Sequence, residues 1–228
     1  MILINDYSNG NDMVVARPGI ASIKDLKGKT IGVEIGFVGH LLLLKALEKN
    51  GMTEKDVKLV NVATDETPQT LASGDVDAIV AWQPNSGKAL EAVAGSKAIF
   101  SSADVPGLIY DVLAVAPKSY VTRKKDWAKV LKAWYMAVDY IKDPATTDDA
   151  VRIMSSRVEI SPESYKPFLA GTYILKKEEA LARGAKGEGF DSLYGSSKIS
   201  DDFNVRYKVY DEPQKMKSYI DLSLMKKL

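Results

Sequence analysis

The chain contains no cysteine and only one histidine, and each scarcity closes a class of chemistry. Without thiols there is no disulfide, thiolate zinc site, iron–sulfur cluster or cysteine nucleophile. One imidazole cannot build a histidine-rich metal site, so neither a metal nor a cofactor is expected. Charge of one sign is also missing. Lys and Arg number 31 against 30 Asp and Glu, a net charge of +1, which gives no field to draw in nucleic acid or an anionic membrane surface. Short basic groups such as Arg123-Lys124-Lys125 and Lys226-Lys227 read as solvated helix ends. No apolar run approaches the ~20 residues a spanning helix requires. Met1-Ile2-Leu3-Ile4 is too short, and lacks the basic flank, to read as a secretion signal. Internal repeats and low-complexity tracts are absent. The glycine-rich stretch Gly184 to Gly189 has no Lys-Ser/Thr ending and no preceding strand, so it is not a phosphate cradle.

What is present is an ordinary globular composition. Apolar residues make up 46% and charged residues 27% of 228 positions, enough for one large domain or two small lobes. Residues 20–100 alternate strand and helix, which predicts a parallel sheet wound on both faces. The strands are expected at 30–34, 57–62, 76–81 and 97–100. Helices are expected from Gly36 to about Asn50, from an Asp65 cap to Gly74, and after Pro84. Asp111 to Ala116 reads as another buried strand. Beyond it the pattern turns to helix upon helix. Trp127, Val130, Leu131, Trp134, Val138 and Ile141 form one apolar stripe, and further helices are expected around 145–157, 162–171 (Ser161 as cap) and 176–183.

The most informative stretch is Lys29-Thr30-Ile31-Gly32-Val33-Glu34-Ile35-Gly36-Phe37-Val38-Gly39-His40, followed by four leucines. It reads as a buried strand, a glycine-punctuated loop and a helix. Such a helix start aims unpaired N–H groups and a positive dipole end at the space above the strand tip. That arrangement can hold a small polar molecule without a catalytic residue.

Several phrases carry a family resemblance. They are Ile23-Lys24-Asp25-Leu26-Lys27-Gly28-Lys29-Thr30-Ile31-Gly32-Val33, Leu41-Leu42-Leu43, Gly74-Asp75-Val76-Asp77-Ala78, Ala81-Trp82-Gln83-Pro84, and Phe100-Ser101-Ser102-Ala103-Asp104 running on to Leu113. In this order they resemble the periplasmic substrate-binding proteins of ABC importers, of the nitrate/sulfonate/taurine type. The resemblance implies an α/β fold of two lobes, periplasmic-binding-protein-like (type II). Lobe two is expected complete at 18–108. Lobe one is expected partial, with crossover strands at 1–17 and the remainder, with carboxy-terminal helices, at 109–228. Relatives carry an amino-terminal section before the equivalent of Ile2-Leu3-Ile4, so another chain completing lobe one is one implied partner. The others are a small-molecule solute, clamped between the lobes, and an ABC permease in the membrane. No nucleic acid is expected, and the implied location is periplasmic or extracytoplasmic.

In doubly wound sheets ligands sit outside the carboxyl ends of the strands. The candidate lining is therefore Glu34, Gly36, Phe37, Val38, Gly39 and His40 after one strand, and Trp82 and Gln83 after another. Relatives often have a hydroxyl in the first loop; here backbone N–H groups and His40 stand in its place. Trp82 and Gln83 supply an aromatic wall and an amide that both donates and accepts. Thr64-Asp65 reads as a helix cap only. Asn11, Asp12 and Asp111, at hinge-strand positions on the lobe-one side, are carboxylates and an amide that either meet a cationic group on a ligand or bond to backbone as hinge residues. Two alternatives stand beside solute capture. One is an enzyme on the same scaffold, of the pyrimidine-precursor or menaquinone-pathway type; the former relies on a histidine and a cysteine-rich motif, which this chain cannot supply. The other is a truncated relative that no longer binds.

Overall fold

The computed structural model describes residues 1–228. Its strands are β1 (Leu3–Ser8), β2 (Met13–Ala16), β3 (Thr30–Val33), β4 (Lys58–Asn61), β5 (Ala78–Ala81), β6 (Lys97–Ser101), β7 (Tyr110–Leu113) and β8 (Thr172–Ile174). Its α-helices are α1 (Val38–Lys49), α2 (Thr67–Ser73), α3 (Asn85–Ala92), α4 (Pro117–Thr122), α5 (Lys124–Lys142), α6 (Thr147–Arg157), α7 (Pro162–Ala170), α8 (Lys177–Arg183), α9 (Leu193–Arg206) and α10 (Met216–Tyr219). No helix is long and apolar enough to cross a membrane.

The chain divides into two units. The first comprises Met1–Tyr7, Ile109–Ile199 and Gln214–Leu228, and the second Ser8–Leu108 and Ser200–Pro213. The second unit is built on a five-stranded sheet of order β4-β3-β5-β2-β6. β3 runs parallel to β4 and β5, but β2 is antiparallel to β5 and β6. The sheet is thus mixed, not wholly parallel as the strand–helix alternation predicts. A short β2, entering from the turn-rich Asn9-Gly10-Asn11 segment, wedges between strands that the later alternation delivers. Every residue of β5 is buried, as a central strand covered on both faces must be, whereas the edge strand β4 is mostly exposed. Val15, Leu71, Val76, Ile79, Ala81 and Ala89 form one side of the core. The buried leucines of α1, namely Leu41, Leu42, Leu43 and Leu47, add to it.

β2 also corrects a boundary. Residues 8–17 are expected with lobe one, but pairing of Met13 with Ala81 and with Ser101 places them in the second unit. Residues 200–213 likewise belong to the second unit and not with the carboxy-terminal helices around them.

The first unit holds a three-stranded sheet, β7-β1-β8, with β1 antiparallel to β7. Its core gathers Ile2, Leu3, Ile4, Leu131, Leu175, Leu193 and Met225. On α5, Leu131 and Val138 are buried and Trp127 and Trp134 pack against the core. Val130, expected on that stripe, is exposed, because the seam runs through 127, 131, 134 and 138 and leaves 130 at its margin. β7 is less buried than its apolar sequence implies, and Asp111 on it is exposed, because an edge strand has a partner on one side only. Ser161 caps α7 as expected, its hydroxyl accepting the Ser164 N–H at 3.1 Å. Asp65 does not cap α2. It lies inside a 3-10 turn, Thr64–Glu66, that runs directly into a helix with Pro68 in its first turn.

Candidate functional site

Parallel pairing of β3 with β5 sets their carboxyl ends side by side, and antiparallel pairing of Met13 with Ala81 brings the start of β2 to the same sheet edge. One edge of the second unit therefore collects the loop from Glu34 to Phe37, the turn at Trp82-Gln83, and Asn11-Asp12. The Ser86 hydroxyl, donating to the Asn11 carbonyl at 3.1 Å, ties the last two together. Asp111 is not part of this edge. It lies in the first unit, paired across β1–β7 with Asp6.

Within the loop most polar groups are already engaged. Ile35 donates its N–H to the Asn61 side-chain oxygen at 2.9 Å, and Phe37 donates to the Glu34 carbonyl at 3.3 Å. The His40 and Leu41 amides both reach the Phe37 carbonyl, at 3.0 and 3.2 Å. The Glu34 carboxylate accepts the Thr64 hydroxyl at 2.8 Å and the Thr64 N–H at 3.3 Å. Val38 and Gly39, first in α1, keep N–H groups with no acceptor inside the helix. Gly39 is buried, and a Cβ there would stand 3.4 Å from Val80 Cγ1, so it serves close packing of α1 on β5. Gly36 has φ +86°, a conformation that a side chain disfavours. Phe37, by contrast, is 56% exposed and Ile35 is 40% exposed, so the loop presents apolar side chains to solvent.

His40 is the clearest correction. Its side chain is 0% exposed, so it lines nothing. Nδ1 accepts the Gly36 N–H at 3.3 Å, which puts the imidazole proton on Nε2, 3.4 Å from Glu54 Oε1 and without a hydrogen-bond partner of its own. Phe203 and Tyr207 meet the ring edge-on at 5.5 and 4.4 Å. Tyr207 donates its hydroxyl to Glu54 at 2.5 Å, and Arg206 stands 3.7 Å from the same carboxylate. Burial lowers the His40 pKa from its usual value, with Glu54 acting in the opposite sense. Burial, followed by hydrogen bonding to Glu54, raises Tyr207 to about 12. This network pins the 200–213 segment onto the start of α1. Tyr207 stands 153 positions from Glu54, a separation at which no local sequence pattern signals a contact.

Around the second turn, Trp82 is half-buried. Gln83 is turned back on its own helix, its Oε1 accepting the Gly87 N–H at 3.2 Å. Asp12 is buried, and its carbonyl accepts the Ser102 N–H at 2.9 Å. The edge thus offers Phe37, Ile35, Trp82 and the Val38 amide. Asn61 and Thr64 fix the loop, a role for which the sequence carries no signal, since it marks Thr64 only as a cap. No group of three or more His, Asp or Glu side chains is placed to hold a metal ion.

The family model described as NMT1/THI5 like matches residues 4–147. The chain belongs to that family. A protein of Brucella abortus named as a binding protein is 37% identical over 94 residues, 41% of this chain and 30% of its own length. The matched region thus spans less than a third of that relative's length. Among solved structures, the periplasmic aliphatic sulphonate binding protein SsuA from Escherichia coli aligns with a TM-score of 0.71 at 16% identity, over 98% of this chain and 75% of SsuA. The desulfurization enzyme DSZB aligns with a TM-score of 0.63 at 15% identity, over 99% of this chain and 78% of that one. The fold is accordingly that of the periplasmic binding proteins, an α/β scaffold that also carries an enzyme.

Proposed function

We propose that this chain is the solute-capturing component of an ABC import system, acting outside the cytoplasmic membrane, and that it holds a small polar solute against the carboxyl edge of its five-stranded sheet. The observation that carries the reading is the composition of that edge. Phe37 and Trp82 offer apolar and aromatic surface, and the Val38 amide offers a hydrogen bond. His40 is sealed away and Glu34 is occupied by Thr64. The relative named as a binding protein supports capture over turnover.

Isothermal titration calorimetry on the full chain, with a panel of alkanesulfonates, thiamine-type pyrimidines and small amines, tests this. The expected outcome is one class bound at one site per chain, with a change in Trp82 fluorescence and recovery of the solute unaltered. Absence of heat across the panel supports the reading of a relative that no longer binds. A solute recovered chemically changed supports the enzyme reading. Either result overturns the proposal.

A further inference from the structure

Of the four places where the chain passes between its two units, the first two are Tyr7–Ser8 and Leu108–Ile109. Both passages adjoin the same stretch of ladder, where Asp6 faces Asp111 and Tyr7 faces Tyr110 on antiparallel β1 and β7. The register shifts between Ile4 and Asp6, which leaves Asn5 as an extra residue and brings the two carboxyl groups together on one face. Like charges directly opposite each other on neighbouring strands repel. Here each carboxyl group stands opposite the other across the ladder, and one proton held between them removes the repulsion that two ionised groups would suffer.

The surroundings supply no cation to replace that proton. Neighbouring residues of a strand alternate faces, so Tyr7 and Tyr110 project to the other side. There Tyr7 stacks on Tyr173 of β8 at 4.9 Å and lies under the Arg183 guanidinium of α8 at 5.3 Å. Arg183 is paired with Asp191, and Lys142 of α5 sits over Tyr173 at 4.8 Å while pairing with Glu179 at 3.7 Å. The charged groups that reach this ladder from α5, α8 and the 184–192 loop are thus committed to the aromatic face. β8 contributes Thr172, Tyr173 and Ile174 and no charge.

We propose that Asp6 and Asp111 form a single-proton clasp, fastening the two crossover strands to each other and loosening them when the proton leaves. Burial, with the neighbouring Asp111 charge second, raises Asp6 to about 7, so the clasp works in the neutral range. A carboxyl group whose folded pKa is raised contributes stability that is complete below the ordinary carboxylate pKa and lost as pH rises through the folded value.

Hydrogen–deuterium exchange of the β1 and β7 amides in the full chain, corrected for the intrinsic pH dependence of exchange, reads this directly. Protection is expected to fall by roughly tenfold between pH 5.5 and pH 8.5, the effect of about one pKa unit of differential binding. In Asp111→Asn the amide donates to the Asp6 carboxylate at every pH, and the step is expected to vanish. Carboxyl ¹³C NMR titration of the unaltered protein provides a second readout that needs no variant, with one of the two groups expected to titrate near neutrality. An equal pH step in Asp111→Asn, or both carboxyl groups titrating near the ordinary value, overturns the proposal.

Discussion

Replacing His40 by alanine tests how the candidate loop is held. The ring is wholly enclosed, touches Phe203 and Tyr207, and receives the Gly36 N–H. Truncating a buried ring costs its lost packing plus the cavity left behind, about 2–4 kcal/mol by analogy with large-to-small core substitutions. The Gly36 amide then loses its acceptor, adding up to about 1 kcal/mol, a discounted figure because Gly36 is only half-buried. The expected total is about 2–5 kcal/mol, confined to the second unit. Trp82 is the only tryptophan in that unit, so urea unfolding followed through Trp82, in a background with Trp127 and Trp134 replaced by phenylalanine, reports on it alone. His40→Phe keeps most of the packing and loses only the acceptor, so it should cost about 1–2 kcal/mol. A loss below about 0.5 kcal/mol for His40→Ala, with an unchanged urea slope, would refute the argument that this ring is a structural pin.

Other outcomes follow from the same geometry. Because burial holds the His40 pKa below its usual value, the unfolded chain takes up a proton that the folded one resists. The stability of the second unit is therefore full above about pH 6.5 and falls as pH drops towards the folded pKa, and His40→Phe should remove this acid sensitivity. Tyr207→Phe deletes a charge-assisted hydrogen bond to Glu54 and should cost about 1–2 kcal/mol; combined with His40→Ala in a double-mutant cycle it should show coupling of at least about 0.5 kcal/mol. Gly36→Ala forces a side chain to φ +86° and should cost about 1 kcal/mol, seen as a lower urea midpoint. Phe37→Ala should leave stability within about 0.5 kcal/mol, since the ring is exposed, while weakening solute binding at least about fivefold by calorimetry.

The run of strand and helix was legible because it is written in local signals. Gly28, Gly51 and Gly74 mark turns and helix ends, the β5 run is apolar throughout, and Ser161 caps α7. What the sequence does not carry depends on partners distant along the chain. Nothing near Met13 says whether β2 runs with or against β5; that is fixed by the ladder it joins. The loop after β3 was recognisable from its glycines, but its degree of occupation was not. Asn61, Thr64 and His40 each consume a polar group of the loop, and only the fold brings the first two, 26 and 30 residues along the chain, into reach. His40 itself illustrates the limit. A histidine in the first turn of a helix fits a ligand contact and a buried pin equally well, and Phe203 and Tyr207 decide between them.

That decision bears on what the edge can select. With His40 enclosed and Glu34 bonded to Thr64, the loop between β3 and α1 turns no charged side chain outward. What remains is one accessible amide at the positive end of α1 and two apolar side chains beside it. An N–H donor favours a solute with an acceptor atom, and the helix end adds a modest preference for negative over positive charge, about 0.3–1 kcal/mol where water has access. Phe37 and Ile35 give nothing to a small, fully hydrated ion, whose desolvation they cannot offset. On the proposed reading, selectivity then rests on a solute with both an acceptor group and an apolar body. With His40 enclosed, no group of this loop that changes charge near neutrality faces solvent, so solute binding measured by calorimetry should change by less than about twofold between pH 6 and pH 8.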